Sequence, residues 1–312
     1  MLIHKAKNFN VRYKKIQLTK LFGDQSRIND IGSVFISNSN KADEESNEFT
    51  SISPLHGRAC TTFHKGKFYS LKGTGWTFGA ASHFMSPTHE GLYYGLFTKC
   101  YAEKEMTVSA ALEKKNFLAG RVIGYGMLGE PFNKLRINEE LIHPCVLYTE
   151  MLSPYRIADL SYFEQEIKEK LFKEAYTHFN QSLKNASTKE LFVSFAKKLF
   201  KSNNDLINLG GVNDSLMWDN VTLACETVDF ENIFLPDIGV NDSLGNLRLM
   251  DRQKQSYIWL YELLIKMKHV LNLSVSVSDV MLEAYDDFYD ELETNNKEFL
   301  EHLILKPSSR KS

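Results

Sequence analysis

The chain has 312 residues, of which 43% are hydrophobic and 24% charged, and its formal net charge is −2. This composition is that of a globular protein with a sizeable core, and it excludes a mainly disordered chain, a collagen-like fibre and a disulfide scaffold. The near-neutral charge argues against a broad nucleic-acid-binding surface, so we expect no nucleic-acid partner.

The cysteines and the hydropathy of the sequence indicate the cellular compartment in which we expect the protein. The sequence contains four cysteines and no CxxC pair, which favours free thiols in a reducing compartment over disulfides or a zinc site. No apolar run reaches the roughly 18 residues of a membrane span. No charged-then-apolar signal peptide opens the sequence. We therefore expect a cytoplasmic protein that has no membrane partner.

The first half of the sequence predicts a β-rich region that follows a polar segment. Residues 1–53 are interpreted as an N-terminal extension that ends in a Ser/Asn-rich linker. Residues 54–150 are predicted to form an N-terminal lobe. Its predicted elements are a hairpin over 58–71, strands over 92–97, 122–127 and 145–151, and one helix over 103–115.

The second half, residues 151–312, predicts a helical lobe. Apolar stripes at helical spacing predict helices over 161–183, 188–201, 250–270 and 276–304. A loop rich in Gly, Asn and Asp interrupts them over 205–245. The predicted fold class is therefore α+β, with the β-rich and then helical layout of a protein-kinase-like bilobal fold.

A lysine and a glutamate of the N-terminal lobe are candidates for binding a nucleotide. Lys72 ends an apolar strand and precedes Gly73, and a strand lysine of this kind can contact the α- and β-phosphates of ATP. Such a lysine needs a carboxylate to hold it, and Glu105, on the predicted helix, is the natural partner. Taken alone, a strand-end lysine before a glycine is more often a surface residue.

The Asn/Asp-rich loop of the second lobe is a candidate for binding a metal ion. It contains Asp219, Asn220 and Asp229, and the apolar segment 221–228 between them predicts a short hairpin that returns Asp229 to the side of Asn220. Asn and Asp oxygens suffice for Mg²⁺, which prefers hard ligands and keeps several of its waters. The alternative is that these residues simply form turns.

Four segments of the sequence, in one order, carry a family resemblance. They are PLHGRACTTFHKGKFYSLKGTGWT (54–77), KEMTVSAALEKKNFLAGRVI (104–123), DNVTLACETVDFE (219–231) and NDSLGNLRLMDRQKQSYIWLYELL (241–264). Together they resemble the selenoprotein O family, kinase-like enzymes that are thought to transfer AMP from ATP to protein hydroxyls. The resemblance covers about residues 54 to 265.

The resemblance implies a role for each matching residue. Phosphate contact falls to Lys72, which Glu105 would hold in place. Asn220 and Asp229 would bind Mg²⁺ or Mn²⁺, and Asp219 would be the general base or orienting carboxylate. The remaining implied nucleotide-binding residues are Gly57, Arg58, Gly73, Arg121 and Arg156.

The sequence also departs from the family pattern. The family's GDG before its arginine is Leu55-His56-Gly57 here, and the first arginine of a later triphosphate-binding segment is replaced by Thr149 or Glu150. The expected function is transfer of AMP from ATP to a hydroxyl of a protein or peptide. The alternatives are a phosphotransferase acting on a protein or small-molecule hydroxyl, with Asp214 competing for the base role, and a nucleotide-binding pseudokinase.

Overall fold

The computed structural model describes residues 13–36, 59–75, 95–130, 136–137, 140–178, 180–214, 216–230, 232–238 and 246–305. The chain divides into two compact units. The N-terminal unit comprises Ile3–Ala110 and Gly120–Pro154, and the C-terminal unit comprises mainly Ala111–Ala119 and Tyr155–Ser312. No helix of the described ranges is both long enough and apolar enough to cross a membrane.

The N-terminal unit is built on an antiparallel sheet. Its elements are β1 (Tyr13–Ile16), β2 (Leu18–Gly23), α1 (Gln25–Ile31), β3 (Ser33–Ile36), β4 (Ala59–His64), β5 (Lys67–Lys72), β6 (Phe97–Thr98), α2 (Lys99–Lys114), β7 (Arg121–Leu128), β8 (Arg136–Ile137), β9 (Glu140–Leu141) and β10 (Pro144–Met151). The main sheet has the strand order β2-β7-β10-β5-β4, and β6 pairs with β10. Two short antiparallel pairs, β1 with β3 and β8 with β9, lie outside it.

The predicted hairpin over 58–71 is present as β4 and β5. Its turn residues Lys65 and Gly66 have φ values of 45° and 83°. Two positive φ values in a two-residue turn match the right-handed twist of the flanking strands, and glycine adopts such a φ without steric cost. The local sequence therefore fixes this part of the sheet.

Each face of the sheet buries its own apolar cluster, because side chains alternate along a strand. One cluster contains Tyr69, Leu71, Val146 and Tyr148 and includes Ile28 of α1, so we call this face the α1 face. The other contains Tyr125, Cys145 and Leu147 together with Phe97 and Ala102. Because Ala102 belongs to α2, we call this second face the α2 face.

The C-terminal unit is mainly helical. Its elements are α3 (Gln165–His178), α4 (Thr188–Asn208), β11 (Val212–Asn213), β12 (Ile233–Phe234), α5 (Asn246–Val270), α6 (Val277–Asp287) and α7 (Thr294–Leu305). Helix α4 begins at a capping box in which the Ser187 hydroxyl accepts from the Glu190 N–H while the Glu190 carboxylate accepts from the Ser187 N–H. Its buried stripe includes Leu191, Phe192, Phe195 and Leu199.

The predicted fold class, α+β with a β-rich N-terminal part and a helical C-terminal part, is confirmed. The structure differs from the predicted elements in several places. The helix predicted over 161–183 is α3, which ends at His178 and is followed by a 3₁₀ turn at Gln181–Leu183. Within the described residues, the strand predicted over 92–97 is present only at Phe97, in β6.

The predicted helix over 276–304 is two helices, α6 and α7, separated by a short 3₁₀ turn at Tyr289–Glu291. The presumed extension contributes strand β2, which pairs with β7 through Leu18–Gly23.

The two units also divide the chain differently from the predicted boundary at 150/151. The division lies between Pro154 and Tyr155, and residues Ala111–Ala119 belong to the C-terminal unit. Within that unit the Thr227 N–H donates to the Leu118 carbonyl at 3.2 Å, and Ala119 forms a parallel bridge with Thr227. These long-range backbone contacts have no local signal in the sequence.

Candidate functional site

Lys72 and Glu105 form a buried ion pair in the N-terminal unit. The Lys72 Nζ donates to the Glu105 Oε1 at 2.5 Å, and the two side chains are only 10% and 2% exposed. The ammonium group also lies 4.6 Å from the centroid of the Phe97 ring, a distance at which a cation is attracted to the ring face. The contact expected between these two residues is therefore present, whereas their role toward a nucleotide stays a prediction.

The pair follows from the packing of helix α2 on the sheet. Buried residues recur along one side of α2 at spacings of three and four positions, namely Ala102, Glu105, Val108, Ser109 and Leu112, so Glu105 occupies a core position of an amphipathic helix. Ser109 fixes this helix on strand β7, because its hydroxyl accepts from the Val122 N–H at 2.9 Å and donates to the Gly120 carbonyl at 3.2 Å.

A buried ion pair of this kind is not explained by stability. Removing two charges from water costs several kcal/mol per ion, and an apolar pair of similar volume is often equally stable or more stable. Buried charges held by a specific partner are enriched at functional sites. Lys72 and Glu105 are therefore candidates for function rather than for packing alone.

Gly73, which the resemblance places beside the nucleotide, has a structural reason to be glycine. Its φ is +98°, and a Cβ there would lie 2.3 Å from the Cys145 carbonyl oxygen and 2.8 Å from the Phe97 Cβ. The close approach of strand β10 therefore requires glycine immediately after Lys72. Gly57 and Arg58 lie outside the described residues.

Asn220 and Asp229 stand at the open end of a hairpin in the C-terminal unit. Val221 and Thr227 form an antiparallel bridge, and the Val228 N–H donates to the Asn220 carbonyl at 2.9 Å. The predicted hairpin over 221–228 is thus present. It places Asn220 opposite Val228, with Asp229 next in the chain.

The backbone of Asp229 is held in a conformation that non-glycine residues seldom adopt. Its φ is +70°, in the left-handed region, which costs about 1–3 kcal/mol for a residue with a Cβ. Strain of this kind clusters at functional sites, where the surrounding structure enforces it. Here Asp229 lies between Val228, whose N–H donates to the Asn220 carbonyl, and the buried Phe230.

The donor set of this hairpin fits a magnesium ion. Asn220 is buried and Asp229 is half-buried, and an amide oxygen with one carboxylate suits a cation that takes its other ligands from water and phosphates. Within the described ranges, no three His, Cys, Asp or Glu side chains group as a metal site. One amide oxygen and one carboxylate leave the remaining coordination positions of a magnesium ion to water and phosphates.

Asp219 is exposed. The hydrogen bond that holds this residue is made to its backbone and not to its side chain. The Arg156 Nη1 donates to the Asp219 carbonyl at 2.6 Å. The structure thus brings Arg156, Asp219, Asn220 and Asp229 together in one unit. The arginine contacts the loop that carries the other three residues.

Arg121 is not brought to Lys72. The Cα register pairs Arg121 with Glu150 and Lys72 with Leu147, and positions 147 and 150 of one strand point to opposite faces. Lys72 therefore lies on the α2 face and Arg121 on the α1 face, where Arg27, Lys67 and Arg121 all pair with Glu150. The phosphate contact implied for Arg121 is not supported by this geometry.

Asp214, the competing candidate for the base, is paired with an arginine that the sequence did not single out. Arg252 of α5 donates through its Nη2 to the Asp214 Oδ2, and the Arg252 guanidinium lies 5.7 Å from the centroid of the Phe234 ring. No local signal could have identified this pair, because 38 residues separate its members.

Comparisons with known proteins add little to this geometry. No protein-family model matches the chain, and no curated protein is significantly similar to it in sequence. Among solved structures 14 chains match. One is the chain described as "WaaP in complex with acyl carrier protein", which is 10% identical, with 77% of this chain and 87% of the other covered and a TM-score of 0.33. This similarity assigns no function to the chain. A functional proposal has to rest on the residues described above.

Proposed function

We propose that the protein is an ATP- and magnesium-dependent transferase of the protein-kinase-like type that moves AMP to a hydroxyl of a protein or peptide. The observation that carries this proposal is the buried Lys72–Glu105 ion pair, which joins a sheet strand to a helix. Kinase-like enzymes use a strand lysine held by a helix glutamate to contact ATP phosphates. The Asn220–Asp229 hairpin supplies the oxygen ligands that the same chemistry requires.

The proposal gives each residue one task. Lys72 binds phosphate oxygens, and Glu105 holds its ammonium group in place. Asn220 and Asp229 hold the divalent cation, which when bound neutralises phosphate charge. Asp219 orients the acceptor hydroxyl and takes its proton while the hydroxyl oxygen forms a bond to the α-phosphorus of ATP, the bond between that phosphorus and the β-phosphate oxygen breaks, and pyrophosphate leaves. Catalysis then rests on positioning and charge neutralisation, which are the main contributions in transfer of phosphorus groups.

Two features favour Asp219 over Asp214 as the base. Asp219 is exposed and accessible to an acceptor, whereas Asp214 is half-buried and ion-paired with Arg252. The Asp214 carboxylate is therefore already engaged by a guanidinium. In the family that the sequence resembles, the aspartate next to the metal-binding asparagine is the residue implied to act as the base or orienting carboxylate in AMP transfer.

A phosphotransferase is the second candidate, because one arginine of the family pattern is lost. The positions that could replace it are Thr149, which is buried, and Glu150, whose carboxylate pairs with Arg27 and Lys67. Neither side chain supplies a cation to a triphosphate. The same lysine, glutamate and metal-binding residues would serve transfer of the γ-phosphate.

The test is paired labelling with ATP that carries label on either the α- or the γ-phosphate, in the presence of Mg²⁺ and a cell lysate as the source of acceptors. Asp229→Ala removes the proposed metal-binding carboxylate. Asp237→Ala is the matched control, because its side chain is 74% exposed and its partner is the surface residue Lys115. Label from the α-position, kept by Asp237→Ala and lost by Asp229→Ala, is the expected result.

The other outcomes separate the alternatives. Label from the γ-phosphate alone would identify a kinase and reject AMP transfer. No label from either position, with ATP still raising the unfolding temperature, would indicate either a nucleotide-binding protein without turnover or a lysate that lacks the acceptor. The absence of both label and ATP stabilisation would reject the nucleotide-dependent function altogether.

A further inference from the structure

A short segment of the C-terminal unit, residues 155–157, runs along the loop that carries Asp219 and Asn220. We call this segment the strap. The Leu223 N–H donates to the Tyr155 carbonyl at 2.9 Å, and the Ile157 N–H donates to the Val221 carbonyl at 3.0 Å. Arg156 itself forms an antiparallel bridge with Thr222. The strap therefore aligns with this loop as an added strand does.

The Arg156 side chain adds a contact to one particular peptide group. Its Nη1 donates to the Asp219 carbonyl at 2.6 Å, and that carbonyl belongs to the peptide bond between Asp219 and Asn220. The N–H of the same peptide bond donates to the Met217 carbonyl at 2.9 Å. Both polar ends of the peptide unit are thus fixed.

Arg156 is in turn held by a buried carboxylate. The Asp159 Oδ2 accepts from the Arg156 N–H at 2.7 Å, and Asp159 is fully buried. The Arg156 guanidinium is engaged through its Nη1, whereas its Nε is buried and has no hydrogen-bond partner among the described residues. An arginine anchored in this way at its backbone and at its side chain is suited to fix a neighbouring loop.

We propose that Arg156 is a positioning residue for the metal-binding asparagine rather than a phosphate contact. This inference rests on the proposed function. Arg156 holds the peptide group that precedes the Asn220 Cα, and the Val228 N–H holds the carbonyl that follows it. The backbone of Asn220 is therefore fixed on both sides of its Cα, which fixes the point from which the metal-binding side chain projects.

The two roles predict different binding defects. A residue that positions a metal ligand affects the metal concentration that the site needs, and loss of such an outer contact typically costs about 10- to 100-fold in metal affinity. A residue that contacts phosphates weakens ATP binding whether or not metal is present. Binding of ATP in EDTA and in Mn²⁺ separates these effects.

The experiment measures two quantities for each variant: the Kd for ATP in EDTA, and the Mn²⁺ concentration that gives half-maximal enhancement of ATP binding. For Arg156→Met we expect an unchanged Kd in EDTA and an Mn²⁺ requirement raised by about 10- to 100-fold. Arg156→Lys, which retains one donor for the Asp219 carbonyl, should recover part of this loss and guards against a folding defect in the methionine variant.

Arg27→Met is the matched control. Arg27 is also a partly buried arginine, but its partners are Asp24 and Glu150 in the N-terminal unit, so its loss should leave the Mn²⁺ requirement unchanged. A wild-type Mn²⁺ requirement in Arg156→Met, or weaker ATP binding in EDTA, would overturn the positioning role alone. Wild-type protein that binds no ATP under either condition would overturn the proposed function and this inference with it.

Discussion

At the scale of single residues, the buried pair of Lys72 and Glu105 has the clearest energetic consequence. Both charges lie in the interior, where they form an ion pair with each other. Removing one partner takes this ion pair away from a charge that stays buried, which is costly. Replacing both charged side chains with apolar ones leaves two apolar side chains in contact, in an apolar environment that includes Phe97 and Cys145.

We therefore expect Lys72→Met and Glu105→Leu each to lower the free energy of unfolding by about 3–5 kcal/mol, as is typical when one member of a buried pair is removed. The double variant should be more stable than either single variant. Urea unfolding followed by circular dichroism measures all three. Additive losses in the double variant would show that the two charges do not stabilise each other.

The stable double variant also separates function from stability. It should retain its fold but lose ATP binding, because Lys72 is then absent from the phosphates. ATP binding by this variant, measured as a rise in unfolding temperature, would remove Lys72 from the proposed site.

At the scale of elements, capping determines where the helix that precedes the candidate metal site begins. Helix α4 leads to β11 and from there into the loop that carries Asp219. Its N-terminus depends on the reciprocal hydrogen bonds of Ser187 and Glu190. These bonds lower the pKa of the Glu190 carboxyl from its ordinary value, because the Ser187 N–H and hydroxyl stabilise the charged form.

Ser187→Ala should lower the free energy of unfolding by about 1 kcal/mol, the usual cost of losing an N-cap. The Glu190 part of the cap should depend on pH. Because the pKa is lowered in the folded state, its contribution is present above the ordinary value of 4.5 and is lost as the pH falls through the lowered value. Thermal unfolding of wild type, Ser187→Ala and Glu190→Gln between neutral and acid pH tests this, and an equal pH dependence in all three would contradict it.

At the scale of the whole molecule, each compact unit carries one part of the proposed machinery. The N-terminal unit contains Lys72 and Glu105, and the C-terminal unit contains Asp219, Asn220 and Asp229. If one ligand uses both sets, its binding must depend on residues of both units. Substitution of one of these residues in either unit should then abolish the stabilisation that the bound ligand provides.

We expect MgATP at about 100 times its Kd to stabilise the native protein by about 2.7 kcal/mol through mass action. Lys72→Met and Asp229→Ala should each remove this gain, whereas Asp237→Ala should keep it. Unfolding curves at increasing MgATP concentration provide the measurement. Stabilisation that survives both substitutions would place nucleotide binding at other residues.

Features that depend on local pattern could be predicted from the sequence alone. The His64-Lys65-Gly66 turn between two strand-like runs predicted the β4–β5 hairpin, and helical spacing predicted α2 and α4. The apolar segment 221–228 predicted the hairpin between Asn220 and Asp229. Lys72 and Glu105 could be paired as candidates because each lies on a recognisable element. These signals are local, since they follow from backbone preferences and the spacing of apolar residues.

Contacts between residues far apart in the chain, by contrast, could be identified only from the folded structure. Strand register placed Arg121 on the sheet face opposite Lys72, the strap brought Arg156 to the Asp219 carbonyl, and the packing of α5 brought Arg252 to Asp214. Strand β2 joined the main sheet from a segment that the sequence had presented as an extension. Such contacts join residues far apart in the chain, and they are selected by burial and hydrogen bonding in the assembled fold rather than by any pattern within a short stretch of sequence.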